Sequence, residues 1–424
     1  MVVIGAGAAG LIAAGRAAAA GARVTVLERN RAAGRKLLIS GKGRCNVTNA
    51  ATVPALVAGM AGNGKFLYGA FSRHGPAELR DHLRSLGVAT KVERGGRVFP
   101  ASDDAASVRD AWLRDAMERG CNLAYGRRAG ELVLADDQPA ASGRAGSHVS
   151  GVRTAAGELY PAAAVVVATG GSSYPGTGST GDGYQLARGA GHRIVPPQPS
   201  LVPLCCREGW PARLSGLSLR NVRLTAASSA GSALGAEFGE MLFTHFGVSG
   251  PIVLKLSRAI SLHLGRGGDQ VRLSLDLKPA LTPEVLARRV QRDLDEYSNR
   301  EFRNTLGGLV PGSLGEVLVE LSGIPPAKRA REISRAERGR LTSLLKGLPL
   351  TVEGTRGFRE AIVTAGGVDV REVSPQTMGS RLVAGLYFAG EVLDVDGYTG
   401  GYNLQAAFST GWLAGEAAGA GNAP

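Results

Sequence analysis

Two short stretches near the start of the chain have residue types and spacing suited to holding phosphate and sugar. Gly5-Ala6-Gly7-Ala8-Ala9-Gly10 has G-x-G-x-x-G spacing and follows the apolar run Met1 to Ile4. In this spacing the first glycine permits a tight turn, the second lets the backbone approach a pyrophosphate, and the third lets a helix pack closely on its strand. A phosphate there would meet free N–H groups and the positive end of the helix dipole. Glu28 lies 18 residues beyond Gly10, at the end of the strand-like Arg23-Val24-Thr25-Val26-Leu27. A carboxylate in that position accepts hydrogen bonds from ribose hydroxyls. The combination points to a dinucleotide site built from Gly5, Gly7, Ala8, Ala9, Gly10, Glu28 and the adjoining Arg29. A Gly/Ala-rich packing interface would also explain the glycines, but it would not require an acid at that distance.

Other patterns carry less. Gly176-Thr177-Gly178-Ser179-Thr180-Gly181 repeats the glycine spacing after the strand-like Ala164 to Thr169, but Ser172 to Pro175 intervene and no spaced acid follows. It reads as a glycine-rich loop rather than a second nucleotide domain. Gly59 to Lys65 imitates a Walker loop, with Phe66 where Ser or Thr should hold magnesium. Cys45, Cys121, Cys205 and Cys206 form no C-x-x-C pair, so neither a disulfide framework nor a dithiol reductase is expected, and Cys205-Cys206 reads as structural. No His/Cys/carboxylate cluster has metal-ligand spacing, so no metal is expected.

The elements around these residues alternate strand, glycine turn and helix, which predicts an α/β, Rossmann-like fold. Such turns serve several dinucleotides, so the cofactor must be read elsewhere. Gly385-Leu386-Tyr387-Phe388-Ala389-Gly390-Glu391 reads as a buried strand ending in an acid. Gly400-Gly401-Tyr402-Asn403-Leu404-Gln405 then opens a helix expected to run to about Ala418. This pair resembles the second FAD segment of the glutathione-reductase-like flavoproteins. The resemblance implies that the acid binds the ribityl chain and that the helix N-terminus faces the flavin's pyrimidine edge, where a reduced ring carries negative charge. Ala168-Thr169-Gly170-Gly171 resembles the middle motif of the same superfamily.

A narrower resemblance covers nearly the whole chain. Gly34-Arg35-Lys36-Leu37-Leu38-Ile39-Ser40-Gly41-Lys42-Gly43-Arg44-Cys45-Asn46-Val47-Thr48-Asn49, Leu242 to Pro251, Val363 to Val368 and Glu391 to Gln405 are similar, in order, to the aminoacetone-oxidase-like and bile-acid-reductase-like FAD enzymes of bacteria and archaea. This implies an FAD-dependent oxidoreductase acting on a small organic substrate, reoxidised by oxygen or reduced by NAD(P)H as a transient donor. The cofactor-binding set implied is the N-terminal one together with Lys36, Ser40, Gly43, Arg44, Cys45, Asn46, Thr169, Gly170, Gly390, Glu391, Gly400, Gly401, Tyr402, Asn403 and Leu404. The Gly41-Lys42-Gly43 turn with Arg44 and Asn46 suits the pyrophosphate or the flavin edge, and Cys45 a flavin-packing or redox role. His245, between Phe243-Thr244 and Phe246-Gly247, is the candidate proton donor or substrate ligand, set against the common role of such histidines as satisfied core residues.

The expected organisation is an FAD-binding domain over 1–196 and 350–424, interrupted at 197–349 by a large insert with a small β part and a helical part, which covers the flavin. Ala280 to Leu306 and Pro326 to Gly347 read as helices, and Val271 to Leu277 alternates as a strand. Composition fits a globular chain of 424 residues, 44% hydrophobic, whose 62 glycines lack any collagen period. Neither a signal peptide nor a spanning helix is expected, and a cytoplasmic location fits the cysteine usage. The net charge of +13 has a local source at Pro326 to Lys346. That segment could bind or modify RNA, but it carries no RNA-binding motif, so a solvated helix face is the preferred reading and a nucleic-acid partner is not expected. A non-catalytic protein using FAD as a structural prop is the remaining alternative.

Overall fold

The computed structural model describes residues 1–136 and 147–420. The chain forms two compact units, Met1–Pro199 with Ala361–Pro424, and Ser200–Glu360.

The first unit opens with β1 (Val2–Ile4), α1 (Ala8–Ala19) and β2 (Thr25–Glu28), and continues through α2 (Ala105–Glu118), β3 (Asn122–Tyr125), β4 (Val165–Val167) and α3 (Asp182–Gly189). β1 lies between β2 and β4, in parallel register Val2↔Thr25 and Val2↔Val165, and β3 adds beyond β2. The central strands β1 and β4 are unbroken runs of Val and Ile, buried throughout, as expected of parallel strands covered on both faces, whereas β3 at the edge is Asn-Leu-Ala-Tyr with exposed ends. Gly5 turns the chain from β1 into α1 at φ +101°, where a Cβ would sit 2.6 Å from the Ala168 carbonyl oxygen.

The second unit is a closed antiparallel barrel with added helices. Its elements are β5 (Leu204–Cys206), β6 (Ser218–Ser228), β7 (Ala233–Thr244), β8 (Gly247–Ser249), α4 (Pro251–Gly265), β9 (Val271–Asp276), α5 (Pro283–Glu296), α6 (Gly312–Ser322), α7 (Arg335–Lys346) and β10 (Leu348–Thr355). The strands run in the order β5-β8-β7-β6-β9-β10, and β10 closes on β5. Val271, Leu273 and Leu275 point inward while Arg272 and Ser274 face out, which is the alternation β9 carries in its sequence. Residue 350, expected to begin the return to the first unit, lies inside β10, which is paired on both sides; the return comes at Ala361.

The helices of this unit are shorter than their patterns suggested. α5 stops at Glu296 because the residues after it pair with a later segment: Arg331 N–H donates to Ser298 O, Ala330 N–H to Arg300 O and Phe302 N–H to Lys328 O. α7 starts at Arg335 because Ser334 and Glu337 form a capping box. α6 lies between the two helices that the sequence pattern indicated.

The chain then supplies the last strand of the first sheet, β11 (Leu386–Phe388), beside β4 in register Val165↔Leu386. It ends in α8 (Tyr402–Ala420), which packs along α1. A Cβ on Gly411 would lie 2.4 Å from Ala9 O, one on Gly415 2.3 Å from Ala13 O, and one on Gly419 3.0 Å from Ala17 Cα. Glycines four apart thus let the two helix backbones touch, which places the N-termini of α1 and α8 on the same sheet.

Candidate functional site

A cleft in the first unit is lined by the turn after β1, the end of β2, the ATG-like turn after β4, the turn after β11 and the first residues of α8. Gly7 faces it with nothing within 4 Å of where a Cβ would stand, whereas Gly10 is behind, where a Cβ would lie 1.8 Å from Gly5 O. The first leaves room for a ligand to reach the backbone, and the second lets α1 sit against its own turn. Glu28 is 6% exposed. One of its carboxylate oxygens accepts from Ala6 N–H at 2.9 Å, and the other accepts from the backbone N–H and side-chain amide of Asn30 at 2.8 and 2.7 Å. Its position at the mouth of the glycine turn is therefore set by three donors.

Farther along the cleft, Lys36 Nζ lies 2.6 Å from Glu391 Oε2 and 2.5 Å from Ser173 Oγ. Glu391 Oε1 accepts from Ser173 Oγ at 2.6 Å and from Thr364 N–H at 2.8 Å. Gly390 adopts φ +77°, and its N–H donates to Thr410 Oγ1 of α8. Asn403 and Leu404 bring the start of α8 to the wall, and that first turn contains no acidic residue. The cleft thus runs between two helix N-termini, each paired with a carboxylate at the end of a neighbouring strand. An extended dinucleotide with a central pyrophosphate matches this layout of donors, acids and open glycine backbone.

The structure brings Gly5, Gly7, Ala8, Ala9, Glu28, Arg29, Lys36, Ser40, Thr169, Gly170, Gly390, Glu391, Asn403 and Leu404 into this lining. Gly10, Gly43, Arg44, Cys45, Asn46, Gly400, Gly401 and Tyr402 are not part of it. Arg44 pairs with Glu93 and Asp103 and stacks 4.1 Å over Phe99. Asn46 accepts from Val98 N–H. Cys45 is fully buried, and burial pushes its thiol up to about 11, which removes thiolate chemistry at neutral pH. The end of the same signature has a positioning task. Asn49 donates to Gly400 O, Thr48 bonds Gln405, and a Cβ on Gly401 would lie 2.2 Å from Thr48 O. Thr48 and Asn49 thereby fix the start of α8.

His245 is in the second unit, at the two-residue turn between β7 and β8. Its exposed ring meets Phe246 edge-on at 4.9 Å. The apolar residues around it in sequence alternate inward, while the turn itself faces solvent. Cys205 and Cys206 are free thiols in β5, and burial pushes Cys206 up to about 12.

Sequence reasoning missed part of the wall. Thr177, Gly178 and Ser179, from the glycine-rich loop Gly176 to Gly181, line this cleft, and Asn30 donates to Thr177 O at 3.1 Å. Arg127 and Arg128 line it too, and Asp182 takes both Arg29 and Arg128 at 2.9 Å. The available signal was position: the loop follows directly on the Ala168 to Gly171 motif, whose Thr169 and Gly170 line the same cleft. Among the described residues no three His, Cys, Asp or Glu side chains could hold a metal ion, and no helix is long and apolar enough to cross a membrane.

The HI0933-like protein Rossmann domain model matches residues 1–417. The chain is 36% identical over 421 residues to the 3-dehydro-bile acid delta(4,6)-reductase of Clostridium scindens, with 98% of each chain covered. It is 33% identical over 416 residues to the ribosomal RNA dihydrouridine synthase of Escherichia coli, covering 97% of this chain and 96% of that one. A crystal structure of 3-ketosteroid delta1-dehydrogenase from Sterolibacterium denitrificans shares the fold, with TM-score 0.52, 14% identity and 99% of each chain covered.

Proposed function

We propose, from the premise that this chain belongs to the HI0933-like family of FAD-dependent Rossmann oxidoreductases, that it reduces a carbon–carbon double bond conjugated to a carbonyl, with NAD(P)H as donor. One observation carries the reductive direction. The two named relatives, at 36% and 33% identity over almost the whole chain, both have names that describe hydrogenation of such a bond. The reaction adds a hydride to the β carbon and a proton to the α carbon while the nicotinamide is oxidised. Bound FAD supplies the two-electron relay between donor and acceptor.

The roles assigned to the chain follow from the cleft. The Gly5–Ala9 turn and the α1 N-terminus hold the pyrophosphate, and Glu28 accepts from the adenosine ribose. Glu391 accepts from the ribityl hydroxyls, with Lys36 and Thr364 N–H orienting it. The N-terminus of α8, free of acidic side chains in its first turn, would favour negative charge on a bound flavin ring.

An anaerobic spectrum tests the reading. Yellow protein should be bleached by NADH or NADPH and recover its colour when a cyclic enone or a uracil nucleoside is added. Protein that stays yellow with both nicotinamides, yet is bleached by an amine or alcohol, would replace this reading with an oxidase or dehydrogenase.

A further inference from the structure

The second unit carries a group of arginines without carboxylate partners. The segment after α5 and the segment before α7 run antiparallel, with Glu301 bridged to Arg329. Asn299 sits where they meet. Its carbonyl accepts from Arg329 Nη1 at 2.6 Å and its side-chain oxygen from Arg331 Nη1 at 2.8 Å. The adjacent Arg300 stacks 4.6 Å from the centre of the Tyr297 ring. Arg338 and Arg340 are likewise held by backbone carbonyls, of Ile333 and Ser322.

The carboxylates nearby are mostly spent. Glu301 pairs with Arg303, and Glu337 pairs with Lys328 while capping α7. Glu332, Glu296 and Asp295, the last taking a hydrogen bond from Gln291, are the exposed acids left beside the patch. Among the described residues no ion pair engages Arg300, Arg329, Arg331, Arg335, Arg338 or Arg340. Like charges gathered on one edge repel, and here neutral acceptors orient them without cancelling the charge. Each guanidinium has five N–H donors and spends few of them internally, so an outward fork remains for a tetrahedral anion. Arg300, Arg329, Arg331 and Arg335 are exposed.

We propose that this edge, residues 297–303 with 326–331 and the first turn of α7, docks the phosphodiester backbone of RNA. The inference rests on the reductase reading and narrows it. The name of the RNA-acting relative already implies uracil, whose ring double bond is conjugated to a carbonyl, as the acceptor in such a chain; the docking edge is the new element. A chain of phosphates matches guanidiniums fixed on paired backbone, with Arg300 held over the Tyr297 ring as part of that fixed set. No large apolar side chain is exposed on the paired segments, which disfavours insertion into a lipid surface.

The test uses the full-length, FAD-loaded protein and a fluorescent single-stranded RNA containing uridines, followed by anisotropy from about 50 to 200 mM salt. The R300Q/R329Q/R331Q variant should lose about tenfold or more in affinity and flatten the log–log salt slope by about two. Its FAD content and its bleaching by NAD(P)H should stay those of the parent. R207Q/R220Q/R223Q removes the same charge from β6 and from the residue after β5, and should keep the parent's affinity within about twofold. Equal losses in both variants, no loss in the first, or binding to phosphatidylserine vesicles but not RNA would each overturn the surface. A protein that reduces a small enone yet ignores RNA would also remove the surface while leaving the reductase reading intact. One that binds RNA through these arginines but is never bleached by NAD(P)H would keep the surface and remove that reading.

Discussion

The two units are filled in opposite ways. In the first, α1 presents Ala9, Ala13 and Ala17 to Gly411, Gly415 and Gly419, so backbone meets backbone. In the second, the barrel is filled by branched and long chains such as Leu224, Leu273, Leu275, Leu348 and Leu350. The units also differ in what polar groups they bury. The first encloses His74, stacked on Trp412 at 4.3 Å, whereas the second buries mostly hydroxyls such as Ser257 and Ser261. A glycine seam brings the two helices whose N-termini face the cleft close together but leaves no room for one more carbon, whereas a leucine core tolerates additions poorly and deletions at a graded cost.

The sharpest way to break this contrast is Gly10→Val. Its Cβ would lie 1.8 Å from a backbone oxygen that cannot swing away, so a loss above about 4 kcal/mol and colourless, aggregating protein are expected. Soluble yellow protein with the parent's Tm would refute the backbone-contact account. Next, Leu224→Ala in the barrel should cost about 2–5 kcal/mol in denaturant unfolding while the folded protein keeps its FAD.

The buried histidine gives a pH test of the same contrast. Burial, with smaller contributions from His82 and Arg16, lowers His74 from 6.5 to about 3. The unfolded chain therefore takes up a proton that the folded one refuses. Stability is intact above about pH 6.5 and declines as pH falls toward 3, by about 2 kcal/mol at about pH 5. His74→Phe should flatten the fall in Tm over that window, and an unchanged profile would show that other groups cause it.

The smallest effects separate two residues expected to share a role. Glu28→Gln should weaken FAD by about tenfold, read by fluorescence titration, because its carboxylate loses charge toward the ribose. Arg44→Gln should leave FAD affinity unchanged and Tm close to the parent's, since its ion pairs with Glu93 and Asp103 are solvent-accessible. If Arg44→Gln weakened FAD as much as Glu28→Gln, the glycine-rich turn would belong to the cofactor's wall after all.

The N-terminal turn was legible because its whole argument lies within 28 residues: strand, glycines, helix and acid are neighbours in sequence. The paired acid and helix at Glu391 and Asn403 were legible for the same reason. What was hidden depends on distant partners. Arg44 reads as a ligand for phosphate until Glu93 and Asp103 arrive from 49 and 59 residues away. The loop at Thr177 lacks a spaced acid of its own, and its link to the cleft is the amide of Asn30, 147 residues earlier. The barrel was foreseen only as a small β part, because β5 and β8 are three residues each and closure is a property of pairing rather than of any one strand.

The seam between α1 and α8 also sets a schedule for the newborn chain. Its two halves are about 400 residues apart, so the first helix emerges long before the glycines that will cover its alanine face. At a ribosomal pace of about 5–20 residues per second, that face waits in water for tens of seconds. A stalled nascent chain ending before Tyr402 would therefore have both the glycine turn and Glu28, yet lack the helix against which α1 must settle.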